Sequence, residues 1–250
     1  MKLNLGCGKN PMPGWVNLDR LDGPGVDLVC DLESLCNYEK AWATEDEMPG
    51  VCRCERERMY YTCLPTPGSS RRRIGKRDAM QRDTVSELRA DHLIEHIRNP
   101  LPMMQELWRV AEPGALFTLT CPYGSSDDAW ENQTHVRPYF VGSWLAFSAP
   151  YYWREDYGYG GDWQAKHIML KLREEALRRL VGGTDALSIA AGTATVGHCE
   201  VAMRAVNTYQ NMVAEMEVIL EAVKPAREQK RELLEYPVVQ LVVARYERDE

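Results

Sequence analysis

An α/β protein built on an open, mostly parallel sheet flanked by helices is what this sequence predicts, and three observations predict it. The chain opens with a short apolar strand, Lys2–Leu5, a glycine turn at Gly6-Cys7-Gly8 and a second strand over 15–18 that ends in Asp19. Further short apolar runs follow at 26–30, 85–90, 115–121, 167–172 and 237–246, separated by longer segments, one of which repeats its apolar residues at helical spacing. With 250 residues and 44% hydrophobic content, the chain can also fill one large core.

The opening turn carries the chemistry. A strand, a glycine turn and a second strand ending in an acid is how an open α/β sheet holds a nucleoside. Glycine lets the backbone approach a ligand closely, and the carboxylate of Asp19 can accept hydrogen bonds from both ribose hydroxyls. Pro11 stands where a dinucleotide fingerprint needs its third glycine. The stretch from Lys2 to Asp19 instead resembles the S-adenosylmethionine (SAM) site of class I methyltransferases. It departs from that pattern in having Asn4 where an acid is usual and Asn10 in place of a third glycine.

The resemblance implies a Rossmann-like sheet, mostly parallel with an antiparallel last strand, and SAM as cofactor. It implies that Gly6 and Gly8 line the methionine end and that Asp19 binds the ribose. Asp31, just past the third strand, would bind the adenine amino group, with Leu32 packing on the ring. Asn4, Gly6, Cys7, Gly8, Asp19, Asp31 and Leu32 are thus the expected cofactor-binding set. As a lone residue, Asp31 reads equally as a surface acid at a strand end.

Bulk properties exclude several classes. A net charge of −7 does not favour a non-specific nucleic-acid binder. No apolar run approaches the ~20 residues of a membrane span, and the N-terminus has no signal-peptide core, so a cytoplasmic protein without a membrane partner is expected. Eight cysteines in such a chain read as reduced thiols or metal ligands.

Residues 36–83 change character and read as an insertion in a single domain spanning 1–250. The segment holds Cys36, Cys52, Cys54 and Cys63, whose spacing lacks the paired knuckles of ordinary zinc sites. Nine Lys or Arg between Arg53 and Arg82 face only Glu55, Glu57 and Asp78. Such a run is either a flap for a polyanion, which makes nucleic acid a possible partner, or a solvated loop.

The strand over 85–90 runs into Asp91-His92-Leu93-Ile94-Glu95-His96. The same stretch is similar to one class I subgroup in which the fourth strand enters a His-x-x-Glu-His segment. It also matches the inverted zinc-peptidase motif, where two histidines one helical turn apart hold the metal. Asn99-Pro100 and Pro102 interrupt the long helix that motif needs. No metal ligand is assigned here, and His96 is expected simply to pack. Asp91 and His92 fall at the C-terminal edge of the sheet, where ligands of such folds bind.

A helix from Pro102 is expected to bury Met103, Met104, Leu107, Val110 and Ala111, and to stop at Glu112-Pro113-Gly114. The run from Gln105 through Pro122 resembles the family's passage from this helix to its fifth strand. Residues 125–140 then leave the active edge as a polar loop with interleaved aromatics. The subgroup carries a His-Val-Arg element here, which makes His135 the first choice for a general base or acceptor-positioning residue, with Arg137 able to hold an anionic acceptor. Asp91, His92 and His135 form the expected catalytic set.

Six aromatics between Tyr151 and Trp163 read either as a stacking platform for a flat acceptor or as a hydrophobic plug. Residues 182–197 read as a flexible connection. Val206, Tyr209, Val213, Met216, Leu220 and Val223 recur at helical spacing, so a long helical segment is expected over 200–235, ahead of the last strand. The function implied is methyl transfer from SAM to an unidentified acceptor, whether nucleic acid, sugar or small metabolite. A silent SAM-binding scaffold and the zinc peptidase are the alternatives.

Overall fold

The computed structural model describes residues 1–34, 80–155, 157–181 and 196–244. The expected insertion over 36–83, with Cys36, Cys52, Cys54, Cys63 and the basic run, therefore lies almost wholly outside the described residues, as does most of the connection over 182–197.

Eight strands form one sheet in the order β3-β2-β1-β4-β5-β7-β6-β8. They are β1 (Lys2–Leu5), β2 (Val16–Asp19), β3 (Leu28–Val29), β4 (Val85–Asp91), β5 (Ala111–Pro122), β6 (Trp163–Arg173), β7 (Val213–Ala222) and β8 (Val238–Ala244). β1 pairs in parallel with β2 and β4, β2 with β3, and β4 with β5. β7 runs antiparallel to both β5 and β6, and β8 is parallel to β6. This is the expected Rossmann-like, mostly parallel sheet. The antiparallel member is β7, however, not the final strand, which extends the far edge in the common direction.

β1 lies inside the sheet, so its side chains are covered on both faces: Leu3 and Leu5 are buried on one and Asn4 on the other. Helix α1 (Pro100–Val110) follows β4 and buries Met103, Met104, Leu107 and Val110. Pro100 stands in its first turn, where a missing N–H has no consequence. The same helix buries Glu106 and Arg109, which satisfy each other through two bonds of 2.7 Å, while Arg109 also donates to the Met80 carbonyl. After Val110 the chain passes directly into β5. The expected stop at Glu112-Pro113-Gly114 is instead a shift in strand register between Val85 and Glu87, made at Gly114 with its φ of 78°.

The long helical segment expected over 200–235 does not form. A helix (Val196–Thr208) ends before Asn211, which turns the chain at a φ of 60°, and residues 213–222 are strand β7. Ala214, Met216, Val218, Leu220 and Ala222 are buried and alternate with less buried residues, three of them glutamates. Met216 and Leu220 satisfy periods of two and of four alike. Strands on both sides decide the matter by pairing the backbone of this segment. Tyr209, expected on the buried face, is exposed.

The aromatic stretch from Tyr151 to Trp163 lies at the edge of the sheet away from the site. Trp163 pairs with Ala222, the last residue of antiparallel β7, whereas Glu215 near the start of β7 pairs with Pro122 at the C-terminal edge. Tyr152, Tyr159 and Trp163 are buried, and the Trp163 indole donates to the Met104 carbonyl at 2.8 Å. Asp162, fully buried, accepts from the Arg227 guanidinium at 2.8 and 2.9 Å and from the Ala149 N–H. The stretch is a plug, not a platform beside the site.

Candidate functional site

Two cavities open at the C-terminal edge of the sheet and share His92 and His96. The first, about 540 Å³, lies beside the opening turn and is lined by Gly6, Asp19, Asp31, Leu32, His92 and Leu93, with Arg20 and Arg98 at its margins. Five of the expected site residues thus meet in one hollow, although they span the tips of β1, β2, β3 and β4.

The opening turn is built for close approach. Gly6 has a φ of +63°, and a Cβ there would stand 2.9 Å from the Leu93 side chain. Asp19 is held by the turn: Oδ2 accepts the Gly8 N–H at 2.8 Å and Oδ1 accepts the Leu21 N–H at 2.9 Å. Each carboxylate oxygen has a second lone pair, so the fixed carboxylate can still accept two outside donors. Asp31 is oriented in a similar way, Oδ1 accepting the Glu33 N–H at 3.1 Å.

Three expected cofactor residues do not line this cavity. The Asn4 amide is buried and donates to Asn17 Oδ1 at 2.9 Å and to the Asn10 carbonyl at 3.2 Å, bracing the turn from behind. Cys7 is buried, its N–H bonded to the Leu18 carbonyl, and burial is the main cause that raises its thiol pKa. Gly8 acts through its N–H on Asp19. Cys30 and Cys121 are likewise buried free thiols, and burial pushes the Cys30 thiol up to about 12.

The second cavity, about 490 Å³, is lined by His92, His96, Pro122, Asp128, Glu131, Asn132, His135, Ala214 and Glu215. His135 is therefore on the side expected of an acceptor. Its loop closes on β5 through a bridge between Tyr123 and Tyr139 and is tied to Glu95 by a bond from the Val136 N–H to the Glu95 carbonyl at 2.8 Å. A short helix, α2 (Asp128–Glu131), forms its first part. Arg137 is exposed and lines neither cavity.

Asp91 lines neither cavity. It is exposed, and its carboxylate pairs with Arg89 on the same face of β4 at 2.7 Å. Residues two apart in a strand share a face, so the cavities pass to His92 instead. The His92 backbone takes a φ of +50° as its N–H completes the ladder to the Thr120 carbonyl, and the chain then leaves the sheet. Its ring stands between Glu215, 3.3 Å from Nε2, and Glu95, 3.4 Å from Nδ1. The neighbouring carboxylates, Glu215 first and then Glu95, hold the His92 pKa up at about 10, and Glu215 is in turn pulled down to about 2, chiefly by His92. At neutral pH His92 is a cation. It can steady anionic groups, but it cannot accept a proton.

The segment after His92 is a single 3-10 turn, Ile94–His96, and not the long helix that the peptidase motif needs. His92 and His96 accordingly do not form the paired ligands of an inverted zinc peptidase. A different set comes together: Glu95, His96 and His135 present donor atoms within 4.8 Å of one another. The sequence points to packing for His96, gives Glu95 no ligand role and groups His135 with Asp91 and His92 instead. The only local signal was the acid directly before a histidine in a segment too short to be a helix.

Neither a protein-family model nor a curated protein sequence matches this chain. Among solved structures it is similar to a SAM-dependent methyltransferase from Archaeoglobus fulgidus, at 13% identity over 88% of this chain and 85% of that one, with a TM-score of 0.47. It is also similar to an S-adenosylmethionine-dependent methyltransferase from Mesorhizobium loti, at 11% identity over 88% and 90% of the two chains, with a TM-score of 0.41. Among the described residues, no helix is long and apolar enough to cross a membrane.

Proposed function

We propose that this protein is a SAM-dependent methyltransferase. Asp19 and Asp31 hold the nucleoside in the first cavity, and the acceptor sits in the second. The observation that carries the reading is the shared hollow of Gly6, Asp19, Asp31 and Leu32 at the C-terminal edge of the sheet, where ligands of such folds bind. The Asp19 carboxylate, fixed by two backbone N–H groups, is set to receive the ribose hydroxyls without further ordering. Asp31, just past the neighbouring strand, lines the same cavity and would take the base, and Leu32 offers an apolar face to the ring. Arg20, Arg98 and the His92 cation supply positive charge for the carboxylate of the methionine end.

SAM supplies an activated methyl group on a sulfonium that leaves readily. What remains for the chain is to hold two reactants in line and to exclude water. The wall of His92 and His96 common to the two cavities is where donor and acceptor would meet. His135, edge-on against His96 in the lining of the second cavity, positions the acceptor.

Calorimetry of the full chain with SAM and with its demethylated product tests the reading. Binding of both is expected, and no binding of either would overturn it. A labelled-methyl assay over nucleic acid, protein and glycan pools then separates an enzyme from a silent SAM-binding scaffold. The basic insertion makes nucleic acid the first pool to try, with sugars and small metabolites next.

A further inference from the structure

We propose that Glu95, His96 and His135 form a binding site for one divalent first-row transition-metal ion on the wall of the second cavity. Their donor atoms lie within 4.8 Å of one another, and ligands bound at about 2.0–2.2 Å to a common ion stand only slightly closer than that. Two imidazoles and one carboxylate, with no thiolate, suit Zn²⁺, Fe²⁺, Co²⁺ or Mn²⁺.

Three features of the cluster point to a cation. Glu95 is only 2% exposed, and neither of its carboxylate oxygens has a hydrogen bond. The His92 ring at 3.4 Å is the group it faces. A buried carboxylate so poorly satisfied is costly, and a bound cation removes that cost. His96 Nδ1 lies 3.2 Å from the Thr134 carbonyl and 3.0 Å from the Thr134 hydroxyl. A carbonyl only accepts, so the proton resides on Nδ1 and Nε2 keeps its lone pair, which is how metal-binding histidines are oriented. His135 Nδ1 is buried and has no partner, and the two imidazoles meet edge-on with centroids 4.8 Å apart.

The backbone holds the cluster together across the 39 residues that separate His96 from His135. The Val136 N–H donates to the Glu95 carbonyl at 2.8 Å, and the His135 N–H donates to the Asn132 carbonyl at 3.0 Å. His96 and His135 both line the second cavity, so the coordination positions they leave open face it. An oxygen or nitrogen of the acceptor could then bind the ion directly. In this arrangement His92 is not a ligand: it is the cation that neutralises Glu95 when no metal is present. Binding of the ion itself does not require SAM, although His96 lines both cavities; that an acceptor reaches the ion rests on the proposed function.

The test is titration of chelator-treated full-length protein with Co²⁺, followed by visible absorption and by competition with Zn²⁺. One ion per chain is expected, with ligand-field bands of nitrogen and oxygen ligation and no sulfur-to-cobalt charge-transfer band. Glu95→Gln and His135→Ala should each weaken binding by about 100-fold or more. His135 is on a surface loop, so His135→Ala remains informative if Glu95→Gln fails to fold. The proposal is overturned if no Co²⁺ binds, if both variants bind it as the parent does, or if the spectrum is that of thiolate ligation. SAM affinity measured on the same samples shows separately whether the first cavity is intact.

Discussion

The two cavities that share His92 and His96 treat their carboxylates in opposite ways. Asp19, beside the first cavity, is already held by two backbone N–H groups at 2.8 and 2.9 Å and keeps its outward lone pairs. Glu95, behind the second, is more deeply buried, and among the described residues its carboxylate has no hydrogen bond and faces the His92 ring at 3.4 Å. A carboxylate fixed at its back by neutral donors suits neutral hydroxyls at its front. One left without donors in a poorly solvated place calls for a full positive charge. The contrast separates the proposed nucleoside site from the proposed cation site within one crevice, and His92, a cation at neutral pH, is the partition between them.

The largest expected effect falls on the first cavity. Asp19→Ala removes both ribose acceptors and the support of the Gly8 and Leu21 N–H groups. Two charge-assisted bonds at about 1.5–3 kcal/mol each put the loss in SAM affinity at about 100-fold or more by calorimetry. Unchanged affinity would show that the nucleoside lies elsewhere. Next comes Gly6→Ala, which forces an alanine to a φ of +63° and sets its Cβ 2.9 Å from Leu93. A destabilisation of about 1–2 kcal/mol is expected in urea unfolding, with SAM binding weakened by about 10-fold. Adding Leu93→Ala should relieve the contact but not the backbone conformation, so only part of the loss should return.

A smaller, pH-dependent effect sharpens the role of His92. Its pKa is raised from 6.5 to about 10, so the stability it contributes is complete below about pH 6.5 and is lost as pH rises towards 10. Glu215 is lowered from 4.5 to about 2, so its contribution is complete above about pH 4.5 and is lost as pH falls towards 2. Urea unfolding across pH should show stability falling between pH 6.5 and 10, and His92→Gln should flatten that decline while lowering stability at neutral pH. An unaltered alkaline slope would mean that His92 is not the charged partition described here. The smallest effect is expected at the opposite edge of the sheet. Tyr157 is exposed and bonds only to the Glu155 carboxylate, so Tyr157→Ala should change stability by less than about 0.5 kcal/mol. It should leave SAM affinity unchanged, and a marked loss of methyl transfer would restore the aromatic stretch to the acceptor site.

Legibility followed the range of the interactions. The opening strand, its turn and the acid at the tip of β2 could be read directly, because Gly6, Gly8 and Asp19 act within a few residues of one another. The stripe of α1 could be read because Met103, Met104, Leu107 and Val110 have one period only. Residues 213–222 could not, since Met216 and Leu220 fit a helix and a strand equally well. Only the flanking strands β5 and β6, which pair the backbone of this segment, separate the two. Asp91 and His92 looked equivalent as neighbours at the end of β4. The pleat directs one to Arg89 and the positive φ of the other carries it into the crevice.

By itself the sequence determined the opening strands β1 and β2, the stripe of α1 and the glycine turn with Asp19 at its end, since apolar periodicity and glycine placement act through local sterics. The tertiary structure alone decided which residues face the second cavity. Glu95 and His135 are brought together by long-range contacts, chiefly the Val136 N–H to the Glu95 carbonyl and Thr134 against His96, and by burial that leaves the Glu95 carboxylate facing the His92 ring. Neither condition leaves a mark on the residues near them in the chain.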